Sequence, residues 1–248
     1  MRNVPTLLRR ELNAYFASIV GYIVLVFFLV VMGVTFSVIV NYLTQAPTQF
    51  TAMKIMFSMF WLPSLFIVPA ITMRLLAEEK RSGAMEMLMT APVTEWEVVV
   101  AKWLGAVVLY SLMWAFTALY VLILGYFSRG LGTLDYGPIA SGYVGVLMIG
   151  QFLIALGVLA SALTKNQIVA ALMSFALLFL LLVVVSLWLP WMVKNPDTVK
   201  FLKAVSTTEH MEDFARGVVD LRPLVLYASG TVLALFLTTR VVESRKWR

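Results

Sequence analysis

Six apolar runs of spanning length punctuate the chain, at about 18–40, 55–77, 98–127, 139–163, 168–190 and 224–239. A bilayer core takes about 20 apolar residues in a helix, so each run reads as a membrane span. The third is long, roughly 45 Å at 1.5 Å per residue, and its first turns are expected to stand in the aqueous phase. The sixth is short, and Pro223 just before it suits the first turn of a helix. No strand-like alternation competes with this pattern. The fold class expected is an all-α polytopic membrane protein, one transmembrane domain over 1–248, with six transmembrane helices.

Three polar-interrupted stretches lie between or before these runs. In 1–17, Val4, Leu7, Leu8, Leu12, Tyr15 and Phe16 fall on one half of a helical wheel, and Thr6, Arg9, Arg10 and Asn13 on the other. An amphipathic helix lying in the interface is predicted. Glu11 breaks its apolar arc, where it either pairs with a cation of a neighbouring segment or reaches the headgroups. In 78–97, Ser82 and Gly83 can end a helix, 84–90 can form one or two turns, and Pro92 turns Ala91 away from helical geometry. Thr94 with Glu97 three residues on is a capping box that starts the third span, with Val93 and Val98 placed as a hydrophobic staple. The short helix carries Met85, Met87, Leu88 and Met89, a soft surface suited either to a partner or to the acyl chains. In the external loop 191–223, Ser206 and Glu209 have capping-box spacing, Met211, Phe214, Ala215 and Val218 form an apolar stripe, Glu212 and Arg216 stand four apart, and Gly217 can close the helix. An amphipathic helix against the outer membrane face is predicted there.

Composition agrees with the span count: 61% of residues are apolar and 13% charged, and the mean hydropathy is +0.92. The net charge of +6 lies at the ends of the apolar runs, with no basic stripe interleaved with aromatics, so nucleic acid is not an expected partner. With both termini, the 78–97 loop and the 164–167 turn on one face, about 12 of the 19 cations fall there and about 7 opposite, five of those in the long 191–222 loop. The excess places both termini in the cytoplasm. No small-residue cleavage pattern follows the first apolar run, so no cleavable signal peptide is expected.

The chemistry of catalysis is absent. No cysteine is present, which removes disulfides and thiolate sites. His210 is the single histidine, and Glu209 and Asp213 do not share its helical column, so no metal site is expected. No acid, base or proton relay lies deep in a span, and no Gly-x-x-x-x-Gly-Lys phosphate loop occurs. The chain is therefore expected to be neither an enzyme nor an ATPase. The small-xxx-small pairs Ser141/Gly145 and Gly157/Ser161 would permit close helix contact.

The pattern E-x-x-x-x-G-x-x-E-x-L-x-x-x-P-V-x-x-x-E-x-x-x-x-K, met as Glu78, Gly83, Glu86, Leu88, Pro92, Val93, Glu97 and Lys102, resembles the cytoplasmic coupling region of ABC-2-type exporter permeases. "RRELNAYFASIVGYI", with Glu11, Tyr15, Phe16, Ser18, Gly21 and Tyr22, resembles the entry to the first span in the GldF-type, gliding-motility-associated branch. "HMEDFARGVVDLRPLVLY", with His210, Phe214, Arg216, Gly217, Val218, Asp220 and Arg222, is similar to that branch's segment before its last span. Ala84 stands where the family often has threonine after the glycine, and Pro223 where the branch often has an acidic residue. The resemblance implies a type V ABC exporter-like arrangement in a bacterial cytoplasmic (inner) membrane. A coupling helix between spans 2 and 3 would dock on ATPase subunits through Glu78, Arg81, Gly83, Glu86, Leu88 and Pro92. Thr94, Glu97 and Lys102 would hold the corner, and the external helix with His210, Phe214, Arg216 and Asp220 would either close the outer gate or only seal the outer end of the bundle. It also implies a second permease copy or homologue, with ATP and Mg held in the partner ATPase and no cofactor in this chain. Two functions fit: an exporter permease, or a non-transporting scaffold that passes ATPase cycles to an auxiliary membrane protein with an external domain. A secondary transporter would want intramembrane charge or repeat halves with broken helices.

Overall fold

The computed structural model describes residues 3–45, 51–83, 93–127, 135–193 and 195–244. Among these the only regular elements are helices: α1 (Val4–Phe16), α2 (Ile19–Gln45), α3 (Ala52–Ser58), α4 (Trp61–Thr72), α5 (Ala77–Ser82), α6 (Glu95–Phe116), α7 (Ala118–Phe127), α8 (Tyr136–Leu163), α9 (Gln167–Phe179), a π-helical stretch (Leu180–Trp188), α10 (Leu189–Met192), α11 (Pro196–Val205), α12 (Thr207–Ala215) and α13 (Leu221–Glu243). They make six helices long and apolar enough to cross a membrane: Ile19–Gln45, Trp61–Ser82, Glu95–Tyr126, Tyr136–Leu163, Gln167–Met192 and Leu221–Glu243. Each coincides with one predicted apolar run. The fold class is the expected one, a multi-pass all-α membrane protein.

The fourth span, α8, is the centre of the bundle, packed by α13, α9, α12, α4 and α6. Without a hydrophobic force between helices in lipid, such contact relies on close backbone approach at small residues. A Cβ on Gly142 would meet the Phe57 ring at 2.5 Å, one on Gly145 the Phe214 ring at 2.7 Å, one on Gly150 Tyr110 Cε1 at 2.2 Å, and one on Gly157 Thr72 Oγ1 at 2.4 Å. The two predicted small-xxx-small pairs are both contact points. Ser141 Oγ also donates to the Phe214 carbonyl at 2.6 Å, and Ser161 binds the second span.

The second span is not one helix. Helix α4 contains Pro69, and the backbone passes from α-helix into turns over 73–76, with Leu75 N donating to Thr72 O at 3.2 Å. Freed backbone groups inside a bundle need partners. Ser161 Oγ supplies them, accepting from Leu76 N at 3.1 Å and Ala77 N at 3.1 Å and donating to Met73 O at 3.2 Å. One hydroxyl thereby uses its donor and both lone pairs. The fifth span has its own irregularity, the π-helical stretch, where Ser186 Oγ donates to Leu181 O at 2.9 Å. That stretch receives α12: Thr207 N donates to Ser186 Oγ at 3.1 Å, and the Thr208 hydroxyl to Ser186 O at 3.3 Å.

The helix expected in 191–223 forms where predicted, with Ser206 as N-cap accepting from Glu209 N and Gly217 at φ +89° ending it. Of the two expected settings, the lipid face and the end of the bundle, it takes the second. Met211, Phe214 and Ala215 are buried against α3 and α8 of the same chain instead of resting on lipid. Val218, expected in the same stripe, lies beyond the helix end and is 55% exposed. A further amphipathic helix, α11, precedes it and was not foreseen.

Gly150→Ala is expected to destabilise the purified protein by about 1–3 kcal/mol, because Tyr110 has no room to withdraw. Gly33→Ala, whose Cβ would meet only the Tyr120 hydroxyl at 3.4 Å, is expected to unfold at or slightly above the wild-type temperature. Scanning fluorimetry in detergent compares the two.

Candidate functional site

The 78–97 segment enters and leaves the bundle through two short stems. Helix α5 ends at Gly83, which takes φ +74°, a left-handed cap that a Cβ would strain. On the other side α6 starts with the predicted capping box complete: Glu97 N donates to Thr94 Oγ1 at 3.3 Å, and Thr94 N to Glu97 Oε2 at 3.2 Å. The short helix expected over 84–90, with Glu86, Leu88 and also Pro92, lies outside the described residues. Of the predicted docking residues, Glu78 and Arg81 are exposed on the α5 stem, and the Arg74 guanidinium stands 3.9 Å from Glu78.

Inside the stems is a charge cluster. Lys102, only 2% exposed, donates from Nζ to Glu79 Oε1 at 2.7 Å and to Glu11 Oε1 at 3.1 Å. Arg10 reaches the same two oxygens, at 3.0 Å to Glu11 and 3.3 Å to Glu79. Three elements meet there: the interfacial helix α1, the α5 stem and the α6 stem. Gly105 makes the approach possible, since a Cβ there would stand 3.1 Å from the Glu11 Cβ. Tyr15 adds a second tie by donating from its hydroxyl to Ile71 O at 3.0 Å. Burial, with the Glu11 charge adding, raises its phenol pKa, while Arg74 opposes. Beside them Lys80 donates from Nζ to the Ala162 carbonyl at the end of α8. Glu11 is thus paired within the protein and does not reach for headgroups.

Lys102 was foreseen as part of the corner, but Arg10, Glu11 and Glu79 were not foreseen as its partners. The available signal was one carboxylate on an apolar wheel arc and one lysine inside an apolar run.

The second predicted group sits at the opposite end of the bundle. Ser141 and Ser161, which touch the two ends, are twenty residues apart on α8, about 30 Å at 1.5 Å per residue. His210 Nδ1 and the Tyr227 hydroxyl of the sixth span are 2.7 Å apart. Phe214 fills the Gly145 notch. Arg216 pairs with Glu212 at 3.1 Å on the surface, and Asp220 caps α13 by accepting from Arg222 N at 3.1 Å. Burial pushes the His210 imidazole below its ordinary value of 6.5, against partial opposition from Asp213, a backbone hydrogen bond with Ala204, Asp220 and Glu209. Among the described residues no group of three or more His, Asp or Glu side chains could hold a metal ion.

Lys102→Met leaves the Glu11 and Glu79 carboxylates with only the half-exposed Arg10, and a loss of about 3 kcal/mol is expected. Adding Glu11→Gln and Glu79→Gln is expected to recover most of it, read as unfolding temperature in detergent. For His210 the sign follows from its depressed value. Below pH 6.5 the unfolded chain takes up a proton before the folded one does, so stability is full above that pH and declines below it. Unfolding temperatures at pH 7.5 and 5.0 are expected to differ more for wild type than for His210→Gln.

No curated protein matches the chain. The sequence model of the ABC-2 family transporter proteins matches residues 65–245, a stretch that runs from the broken second span through the end of the sixth. With nearly three quarters of its length so matched and six spans in place, the chain belongs to the ABC-2 family of transporter proteins, as a membrane permease component.

Proposed function

We propose that this chain is the permease of an ATP-driven exporter in a bacterial cytoplasmic membrane, of the GldF-type branch, working with a second copy or homologue and with separate cytoplasmic ATPase subunits that hold ATP and Mg. Both termini are placed in the cytoplasm, a reading that the cation excess on that face supports. The 78–97 segment is the ATPase dock, with Glu78, Arg81 and Glu86 offering charge, Leu88 an apolar contact, and Gly83 and Pro92 bounding the short helix. Thr94, Glu97 and Lys102 are positioning residues. The observation that carries this reading is the cluster around Lys102, since it fastens both stems of that segment to the interfacial helix next to the first span. A displacement imposed on the segment would reach three elements at once.

The alternative, a scaffold that passes ATPase cycles to an external auxiliary protein, draws support from the opposite end. Phe201 is 68% exposed on α11, in the 196–205 segment, an apolar group that a partner's external domain could cover. His210, Phe214, Arg216 and Asp220 then serve as the relay between that segment and the sixth span.

Co-expression with an ABC ATPase subunit of the same genome, followed by detergent pull-down, tests the dock. Wild type is expected to retain the ATPase and stimulate its turnover, and Glu86→Arg to insert and purify normally but lose both. Equal retention by the two would exclude 78–97 as the dock. Dependence of turnover on an added amphiphile or on an auxiliary protein separates exporter from scaffold.

A further inference from the structure

The fifth span departs from the α register over nine residues, Leu180–Trp188. Leu189 N donates to Val184 O, five residues back, and the Ser186 hydroxyl donates to Leu181 O over the same interval, at 2.9 Å. π-Helix occurs mostly as single turns, so a stretch of this length needs support from outside itself. One support is in the sequence. Pro190 follows the stretch, in the first turn of α10. Its ring has no N–H and presses on the carbonyl four residues back, which is Ser186 O, and a wider register relieves that contact.

The other support is α12. The Ser186 carbonyl, which Pro190 denies an α-helical donor, is met by the Thr208 hydroxyl at 3.3 Å and the Ser206 hydroxyl at 3.4 Å. The Ser186 hydroxyl accepts from Thr207 N at 3.1 Å and, its own proton being on Leu181 O, from the Thr207 hydroxyl at 2.9 Å. Ser186, Ser206 and Thr207 are all buried, so water is not at hand to replace these bonds. The polar contacts that the first turn of α12 makes with the fifth span thus converge on one residue. Further along the helix, His210 meets Tyr227 and the Phe214 carbonyl meets Ser141.

We propose that the register of the fifth span controls the docking of α12. In the π register Ser186 turns its carbonyl and hydroxyl to α12. Closing the hydrogen-bonded interval before it from five residues to four would turn Ser186 by about 100° around the span axis, the rotation of one residue in an α-helix, and withdraw both groups. Pro190 is the positioning residue, since by denying Ser186 O an α-helical donor it biases the span toward the docked state. Helix α12 is then a strap released from within the fifth span, not a lid lifted from solvent. The device serves exporter and scaffold alike. Its test needs neither an ATPase nor an auxiliary protein, so failure of the dock at 78–97 leaves it standing.

The chain has no cysteine, so a single Met211→Cys, on the buried face of α12, reports release of the helix through its rate of maleimide labelling in detergent, read by mass spectrometry. In that background Pro190→Ala, which returns an N–H to Ser186 O, is expected to label about tenfold faster, the loss of one or two hydrogen bonds. Removing a proline from a helix would ordinarily tighten the span and slow such opening. Val99→Cys, equally buried at the opposite end of the bundle, is expected to label at the same rate with and without Pro190→Ala. Thr208→Val is expected to accelerate labelling of Met211→Cys by itself and to add little on top of Pro190→Ala, since the two act on one acceptor. An unchanged rate in Pro190→Ala, equal acceleration at Val99→Cys, or additive effects of the two substitutions overturns the proposal. Should Pro190→Ala not fold, Thr208→Val decides alone: faster labelling supports the strap, and an unchanged rate overturns it.

Discussion

A lysine whose side chain is 3% exposed, held between two carboxylates, is the constraint around which one end of this protein is arranged. Removing its charge from water costs several kcal/mol, and the attraction to Glu11 and Glu79 offsets that only with close geometry. Such a cluster contributes little net stability over an apolar replacement. What it contributes is position. Lys102 can satisfy both carboxylates only when α1 lies across Gly105 and α5 holds Glu79 beside the start of α6. The interfacial helix, anchored by an ion pair and by the Tyr15 hydroxyl on Ile71, consequently sits at one register on the bundle.

At the other end, uncharged groups do the equivalent work. The π-helical stretch presents Ser186, and the run Ser206, Thr207, Thr208 closes on it with hydroxyl and backbone hydrogen bonds. His210 and Tyr227 tie the same helix to the sixth span. Both ends depend on α8, whose small residues accept an aromatic ring or a threonine at each level. The permease is therefore built as a central helix with notches, two docked amphipathic helices and irregular spans whose open backbone groups are answered by serines.

Local patterns revealed what local physics determines. Six spans followed from apolar runs of bilayer length, and the starts of α6 and α12 from capping residues three apart. The chain ends its α5 helix at Gly83 as the Ser-Gly pair suggested. Pairings distant in sequence were not legible. Glu11 is 91 residues from Lys102, so the wheel could reveal a misplaced carboxylate but not the lysine that answers it. The break at 73–76 carries no glycine or proline of its own, and its remedy, Ser161, lies 85 residues from Leu76. What α12 packs against was open for a related reason: its apolar stripe looks the same whether lipid or Gly145 receives it.

The break in the second span bears on how a load would travel. A continuous α-helix is stiff along its axis, and a push at its end arrives at the far end. Here the helix loosens into turns at 73–76, where the Ser161 hydroxyl answers Leu76 N, Ala77 N and Met73 O beside the backbone bonds that remain. The stiff route from the α5 stub is instead sideways, through Glu79 to Lys102 and Glu11. Force applied at the stub would thus bypass the rest of its own span and be delivered to α1 and the third span.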